Sequence, residues 1–132
     1  MDELVRVHLS RVVIQEKGDH QYIHLRDNDS ERSFPIVIGF TEAAEINRKL
    51  RDIVAPRPMT HDLIGRVLDG VGWDLKRVVI NDLRDGTFFA VLVLAREGED
   101  DREVDCRPSD AIALAVQAHA PIFVAKKVLD LV

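Results

Sequence analysis

The sequence predicts a mixed α/β domain of the α+β kind, one mixed β-sheet with about three helices. Alternating or continuous apolar runs closed by turn signals read as strands, and stretches with apolar residues three and four apart read as helices. The order strand, hairpin, strand, capped helix also occurs twice. Val12-Val13-Ile14 opens one copy and Val78-Val79-Ile80 the other, 66 residues later, and the helix starts Thr41-Glu42-Ala43 and Ser109-Asp110-Ala111 are 68 residues apart. Such an internal duplication makes Glu42 and Asp110 equivalent positions, each in the first turn of a helix.

From Leu4 to Ile14, Val5, Val7 and Leu9 alternate with Arg6, His8 and Ser10, the mark of a half-buried strand. Lys17-Gly18-Asp19 is a turn signal, and Tyr22, Ile23 and Leu25 complete a hairpin in which His8 and His24 could face each other. Phe34 to Ile38 reads as a short buried strand, which Pro35 confines to a strand start or a sheet edge. Thr41 is the expected cap of a helix from Glu42 to about Arg51, with Ala43, Ile46 and Leu50 inward and Glu45, Arg48 and Lys49 outward. Thr60 caps the next helix, whose Leu63, Ile64, Val67, Leu68 and Val71 form an apolar stripe before Gly70 and Gly72.

Leu75 to Leu83 is a further strand, and Asp85-Gly86 is the strongest hairpin signal in the chain. Phe88 to Ala95 is almost continuously apolar and fits a central strand covered on both faces. Glu103 to Cys106 is a short strand after a charged loop. Pro108 biases Arg107 toward extended backbone, so a helix begins after it with Ser109 as cap and Asp110 in the first turn. Pro121 ends that helix, Ile122 to Ala125 is the last strand, and Lys127 to Val132 is a terminal helical turn or strand.

With 132 residues, 46% of them hydrophobic and 31% charged, the chain has the size and balance of one soluble domain over residues 1–132. A net charge of −5 argues against passive coating of nucleic acid, which needs Lys and Arg to neutralise phosphates. It leaves room for an enzyme that holds phosphate through Mg²⁺ or Mn²⁺ on carboxylates. The apolar runs are too short to span a bilayer, and Met1-Asp2-Glu3 begins no signal sequence, so no membrane association and a cytoplasmic location are expected. Cys106 is the sole cysteine, which excludes an internal disulfide and reads as a small buried hydrophobe.

Two strings concentrate chemistry. Asp105-Cys106-Arg107-Pro108-Ser109-Asp110 brings together two carboxylates, a guanidinium and a hydroxyl, and Arg57-Pro58-Met59-Thr60-His61-Asp62 echoes it with a histidine added. On a functional reading Asp105 and Asp110, with Glu42 or Asp62, hold a divalent cation. His61 then moves a proton, and Arg57 and Arg107 bind phosphate beside the hydroxyls of Thr60 and Ser109. On a structural reading Ser109 and Thr60 cap helices, Asp110 and Asp62 steady helix dipoles, and Arg107 pairs with a neighbouring acid. Spacing alone leaves both readings open. No Walker A loop, dinucleotide fingerprint or nucleophile elbow is present.

Taken together, Pro35-Ile36-Val37-Ile38-Gly39 with Glu42-Ala43, the Arg57 to Leu63 string, Asp105 to Ala115, and Ala120-Pro121-Ile122-Phe123-Val124 resemble the bifunctional nuclease domain family. The resemblance covers nearly the whole chain. It implies a mixed α/β domain that forms homo-oligomers, with a dimer favoured, and cleavage of RNA and DNA as nucleic-acid substrates. It makes the residues of both strings the site candidates. The competing expectation is a noncatalytic oligomeric domain that takes a partner protein or a small anion at the same helix N-termini.

Overall fold

A computed structural model describes residues 3–15 and 20–132. The chain runs β1 (Leu4–Val13), β2 (Gln21–Asp27), β3 (Ser33–Ile38), α1 (Phe40–Leu50), α2 (Thr60–Val71), β4 (Asp74–Arg84), β5 (Thr87–Ala95), β6 (Arg102–Cys106), α3 (Pro108–Ala118), β7 (Ile122–Ala125) and α4 (Lys126–Leu129). This is the α+β fold with a mixed sheet that the sequence predicts, with a short fourth helix at the end. The turn expected at Lys17-Gly18-Asp19 lies outside the described residues.

The seven strands lie in the order β3-β2-β1-β7-β4-β5-β6. Two antiparallel meanders, β1–β3 and β4–β6, flank β7, which is antiparallel to β1 and parallel to β4. The repeated unit of the sequence is therefore visible as two meanders, each followed by a helix. The Asp85-Gly86 turn has φ of 51° and 77°, the positive pair a two-residue hairpin requires. β3 is an edge strand, which is where Pro35 can sit without breaking a ladder. β5 is buried on both faces as expected but lies one strand from the other edge; the middle position belongs to β7. The register sets His8 opposite Arg26 and His24 opposite Arg11, so the two histidines do not face each other.

One face of the sheet carries the helices. Val78, Ile80, Leu92 and Val124 pack in one cluster with Ala43 and Ile46 of α1 and Ile112 to Ala115 of α3, whereas Val79, Val91, Val93 and Phe123 form a second cluster of strand residues alone. The sheet curls around α3. Phe34 on edge strand β3 stacks on Phe88 of β5, with centroids 5.8 Å apart, although four strands separate β3 from β5 in the sheet order. Five consecutive residues of α3, Ala111 to Ala115, are buried, as befits a helix enclosed on nearly all sides.

Four details differ from the sequence reading. The helices begin earlier than the hydroxyls suggest: the caps are Gly39, Met59 and Arg107, none with a side-chain cap, and Thr41, Thr60 and Ser109 lie inside the first turn. Pro108 takes the first helical position, where its missing N–H costs nothing. His119 in the left-handed region, rather than Pro121, closes α3. Glu45, Arg48 and Lys49 do not face water, because Asp62 of α2 pairs with Arg48 and Lys49 while Arg48 also pairs with Glu45. The α2 stripe divides: Ile64 and Leu68 pack on the core, while Met59, Leu63, Val67 and Val71 stay 46, 55, 53 and 56% exposed.

Candidate active site

The curl of the sheet brings the starts of α1, α2 and α3 to one place. Each start carries an acid at its third helical position, Glu42, Asp62 and Asp110, where free N–H groups and the helix dipole favour negative charge. Glu42 and Asp110 are the equivalent positions of the two repeats, and one guanidinium joins them. Arg107 donates from Nε and Nη2 to the two oxygens of Asp110, at 2.9 and 3.0 Å, and from Nη1 to Glu42 at 3.0 Å. At Gly39, the counterpart of Arg107, a Cβ would lie 2.4 Å from Glu42 Oε2, so a side chain there would push that carboxylate aside.

His61 completes the junction. Its Nε2 is 2.9 Å from Asp110 Oδ1, and its Nδ1 is 3.9 Å from Glu45 Oε1. Burial pushes the Asp110 carboxyl up, but Arg107 and then His61 outweigh it and hold the group below its ordinary value. An ionised Asp110 only accepts hydrogen bonds, so Nε2–H is the donor and Nδ1 of a neutral His61 carries the lone pair. The ring is well placed by its surroundings: its side chain is 13% exposed, and Gln117 donates to the His61 carbonyl at 3.0 Å. Gly65 leaves the room that Gln117 needs, since a Cβ there would meet Gln117 Nε2 at 2.5 Å.

These groups border a cleft of about 810 Å³ whose floor is apolar, formed by Ile64, Leu92, Val104 and Leu114. Thr60 and Arg48 also line it. Arg107 stands at the mouth with its side chain 61% exposed, and its acid partners hold its proton more tightly still. Cys106 borders the cleft as a thiol, not a thiolate, because burial first and then Asp110 and Asp105 push its pKa to about 12.

The two strings thus meet through His61, Thr60, Asp110 and Arg107, but not through every residue. Asp62 turns away from the cleft. It accepts from the Met59 N–H at 2.9 Å, from Arg48 at 3.1 Å and from Lys49, and Lys49 with that N–H lowers its pKa to about 2. Arg57 lines a separate depression beside Asp62, and Ser109 is buried against another, beside Pro35 and Phe88. Asp105 reaches the rim, but its strand position pairs with Val91, so its side chain leaves β6 on the sheet face away from the helices. Sequence reasoning missed Glu45 and Arg48 as well as the apolar floor. Periodicity sees one buried face of α1, and the partner for the other face comes from α2.

Among the described residues no three His, Cys, Asp or Glu side chains converge as a metal shell. Glu42 and Asp110 hold the Arg107 guanidinium between them, in the space a divalent ion would need. As placed, the carboxylates do not fit Mg²⁺ or Mn²⁺.

Fold and site together define an α+β domain with two repeated halves and a polar-rimmed cleft at their shared helix starts. A family model described as the bifunctional nuclease domain matches residues 23–132. The chain belongs to that family. It is 38% identical over 116 residues to an uncharacterized protein of Mycobacterium tuberculosis, covering 88% of this chain and 68% of the relative. It is 26% identical over 118 residues to bifunctional nuclease 1 of Oryza sativa and 30% over 112 residues to bifunctional nuclease 2 of the same species. The matches cover 87 and 83% of this chain but only 36 and 34% of the rice proteins, about a third of their length.

Proposed function

We propose that the cleft cleaves phosphodiester bonds in nucleic acid. The carrying observation is the 2.9 Å contact of His61 with Asp110 in a cleft whose mouth holds Arg107, in a chain of the bifunctional nuclease domain family. Asp110 fixes the imidazole through Nε2. Nδ1 then takes the proton from the attacking hydroxyl, and the same ring returns a proton to the leaving oxygen. Arg107 has five N–H donors and uses three on Glu42 and Asp110, which leaves its remaining donors for a phosphate oxygen. The apolar floor accommodates the flat face of a base and keeps bulk water from the proton path.

The alternative, a small anion seated on the helix N-termini, has less support. Glu42, Asp62 and Asp110 already stand at those N-termini and would repel it. As a second part of the proposal the protein works as a homodimer, for which the exposed α2 stripe offers a surface a second copy would cover.

The test is cleavage of labelled single- and double-stranded RNA and DNA in Mg²⁺, in Mn²⁺ and in chelator, with His61→Ala and Asp110→Ala purified alongside. Cleavage abolished by both substitutions supports the proposal. Cleavage that survives both places the chemistry elsewhere, and none under any condition leaves a binding domain.

A further inference from the structure

A second cavity lies where the sheet parts. β1 pairs with β7 only as far as Val7 opposite Ile122, and from His8 onward it pairs with β2 alone. Between that free edge and the chain entering β7 opens a space of about 470 Å³. Arg6, His8, Lys49 and His119 border it, none of its lining residues among those described is acidic, and Leu9 and Val116 give it an apolar wall. In a chain of net charge −5 this is a local reversal of sign.

Lys49 is committed to Asp62, but the other basic side chains are available. Among the described residues no hydrogen bond or ion pair engages the side chain of Arg6 or His119. His8 is fixed in place: its Nδ1 is 2.7 Å from Asn28 Oδ1, and the Asn28 N–H donates to the Arg6 carbonyl at 3.1 Å. The amide oxygen accepts, so Nδ1–H is the donor, and Nε2, which becomes a second donor in the imidazolium form, is the ring nitrogen left to face an anion. His119 holds φ 55° and ψ 37°, a conformation glycine adopts without steric cost, yet an exposed imidazole stands there beside the cavity. The C-terminal ends of α1 and α3 oppose an anion here. Their partial charges are smaller than the full charge of Arg6, and carbonyls of their last turns are taken by Arg51 and Ala120 N–H groups.

We infer that this cavity binds a small organic anion, with its phosphate or carboxylate held by Arg6, His8 and His119 and its apolar body against Leu9 and Val116. The site is separate from the cleft. Asp110 and His119 are nine positions apart along α3, roughly 14 Å at 1.5 Å per residue. It stands whether or not the cleft is a nuclease.

The experiment is an NMR titration of the ¹⁵N-labelled protein with inorganic phosphate, uridine 5′-monophosphate and hexanoate at constant ionic strength. Saturable shifts are expected at the amides of Leu9, His119 and Ala120. An organic probe should saturate at lower concentration than inorganic phosphate, and which organic probe does so separates a phosphate from a carboxylate ligand. Arg6→Gln and His119→Gly should each weaken binding by about tenfold, the loss of one charge-assisted hydrogen bond. Asp110→Asn should leave it unchanged. His119→Gly relieves the left-handed backbone, so lost binding in that variant cannot be blamed on unfolding. Shifts that fail to saturate with all three probes, or saturable shifts indifferent to both substitutions, overturn the inference.

Discussion

His61 and Asp110 stand 49 positions apart in the chain and 2.9 Å apart in space, and the carboxylate that orients the imidazole is the same one that Arg107 grips with two hydrogen bonds. A single substitution there separates orientation from folding. Asp110→Asn keeps the shape but removes the charge, and an amide can present its N–H₂ to Nε2 and select the wrong tautomer. The expected outcome is a fall of about 100-fold or more in the proposed cleavage rate, with the circular dichroism spectrum unchanged. Initial rates on labelled single-stranded RNA check it; a rate within twofold of the parent would remove Asp110 from the mechanism.

Asp62 serves stability. Its folded pKa of about 2 lies below the ordinary 3.8, so its contribution is complete above pH 3.8 and is lost as pH falls toward 2. The shift corresponds to roughly 2 kcal/mol before discount, and partial exposure of the carboxylate reduces it to about 1–2 kcal/mol. Asp62→Asn should therefore lower the stability at pH 7 by that amount and flatten the stability loss between about pH 4 and pH 2. Urea unfolding across that pH range measures both.

Cys106 should be inert. A thiol with a pKa of about 12 is almost wholly protonated at pH 8, so alkylation by iodoacetamide should run about a thousandfold slower than in the urea-unfolded chain. Mass spectrometry over time reads the difference. Fast labelling of the folded protein would mean that the β6–α3 junction opens readily.

The α2 stripe carries the dimer expectation. Val67→Asp places a charge in the middle of Met59, Leu63 and Val71, all exposed in the single chain. Sedimentation equilibrium should show a dimer for the parent protein and a monomer for the variant, with little change in the melting temperature at low concentration. A parent that stays monomeric at all concentrations ends the proposal.

Much of this arrangement was legible in the sequence for reasons that act locally. Asp85-Gly86 forces its hairpin, Pro108 fixes where α3 begins, and the repeated order of elements appears as two meanders about β7. The outward assignment of Glu45, Arg48 and Lys49 failed because hydrophobic periodicity records only apolar burial, and these residues are enclosed as paired charges. Hydroxyl capping failed at Thr41, Thr60 and Ser109 for a related reason. The acid three residues beyond each cap, not a cap side chain, occupies the helix end. No local rule could supply the contact of His61 with Asp110 or the route from Arg107 to Glu42, because both depend on the curl that draws the edges of the sheet together.

Strand β7 is contributed last in the sheet, yet it lies between two meanders that precede it in the chain. During synthesis each meander can pair internally as soon as it emerges, but neither can join the other until residue 125 is free. The sheet therefore closes by capture of a late segment, a contact order that slows the final step and leaves two sheet edges open in the meantime. Those edges, on β1 and β4, are where a nascent or truncated chain would be drawn into aggregation.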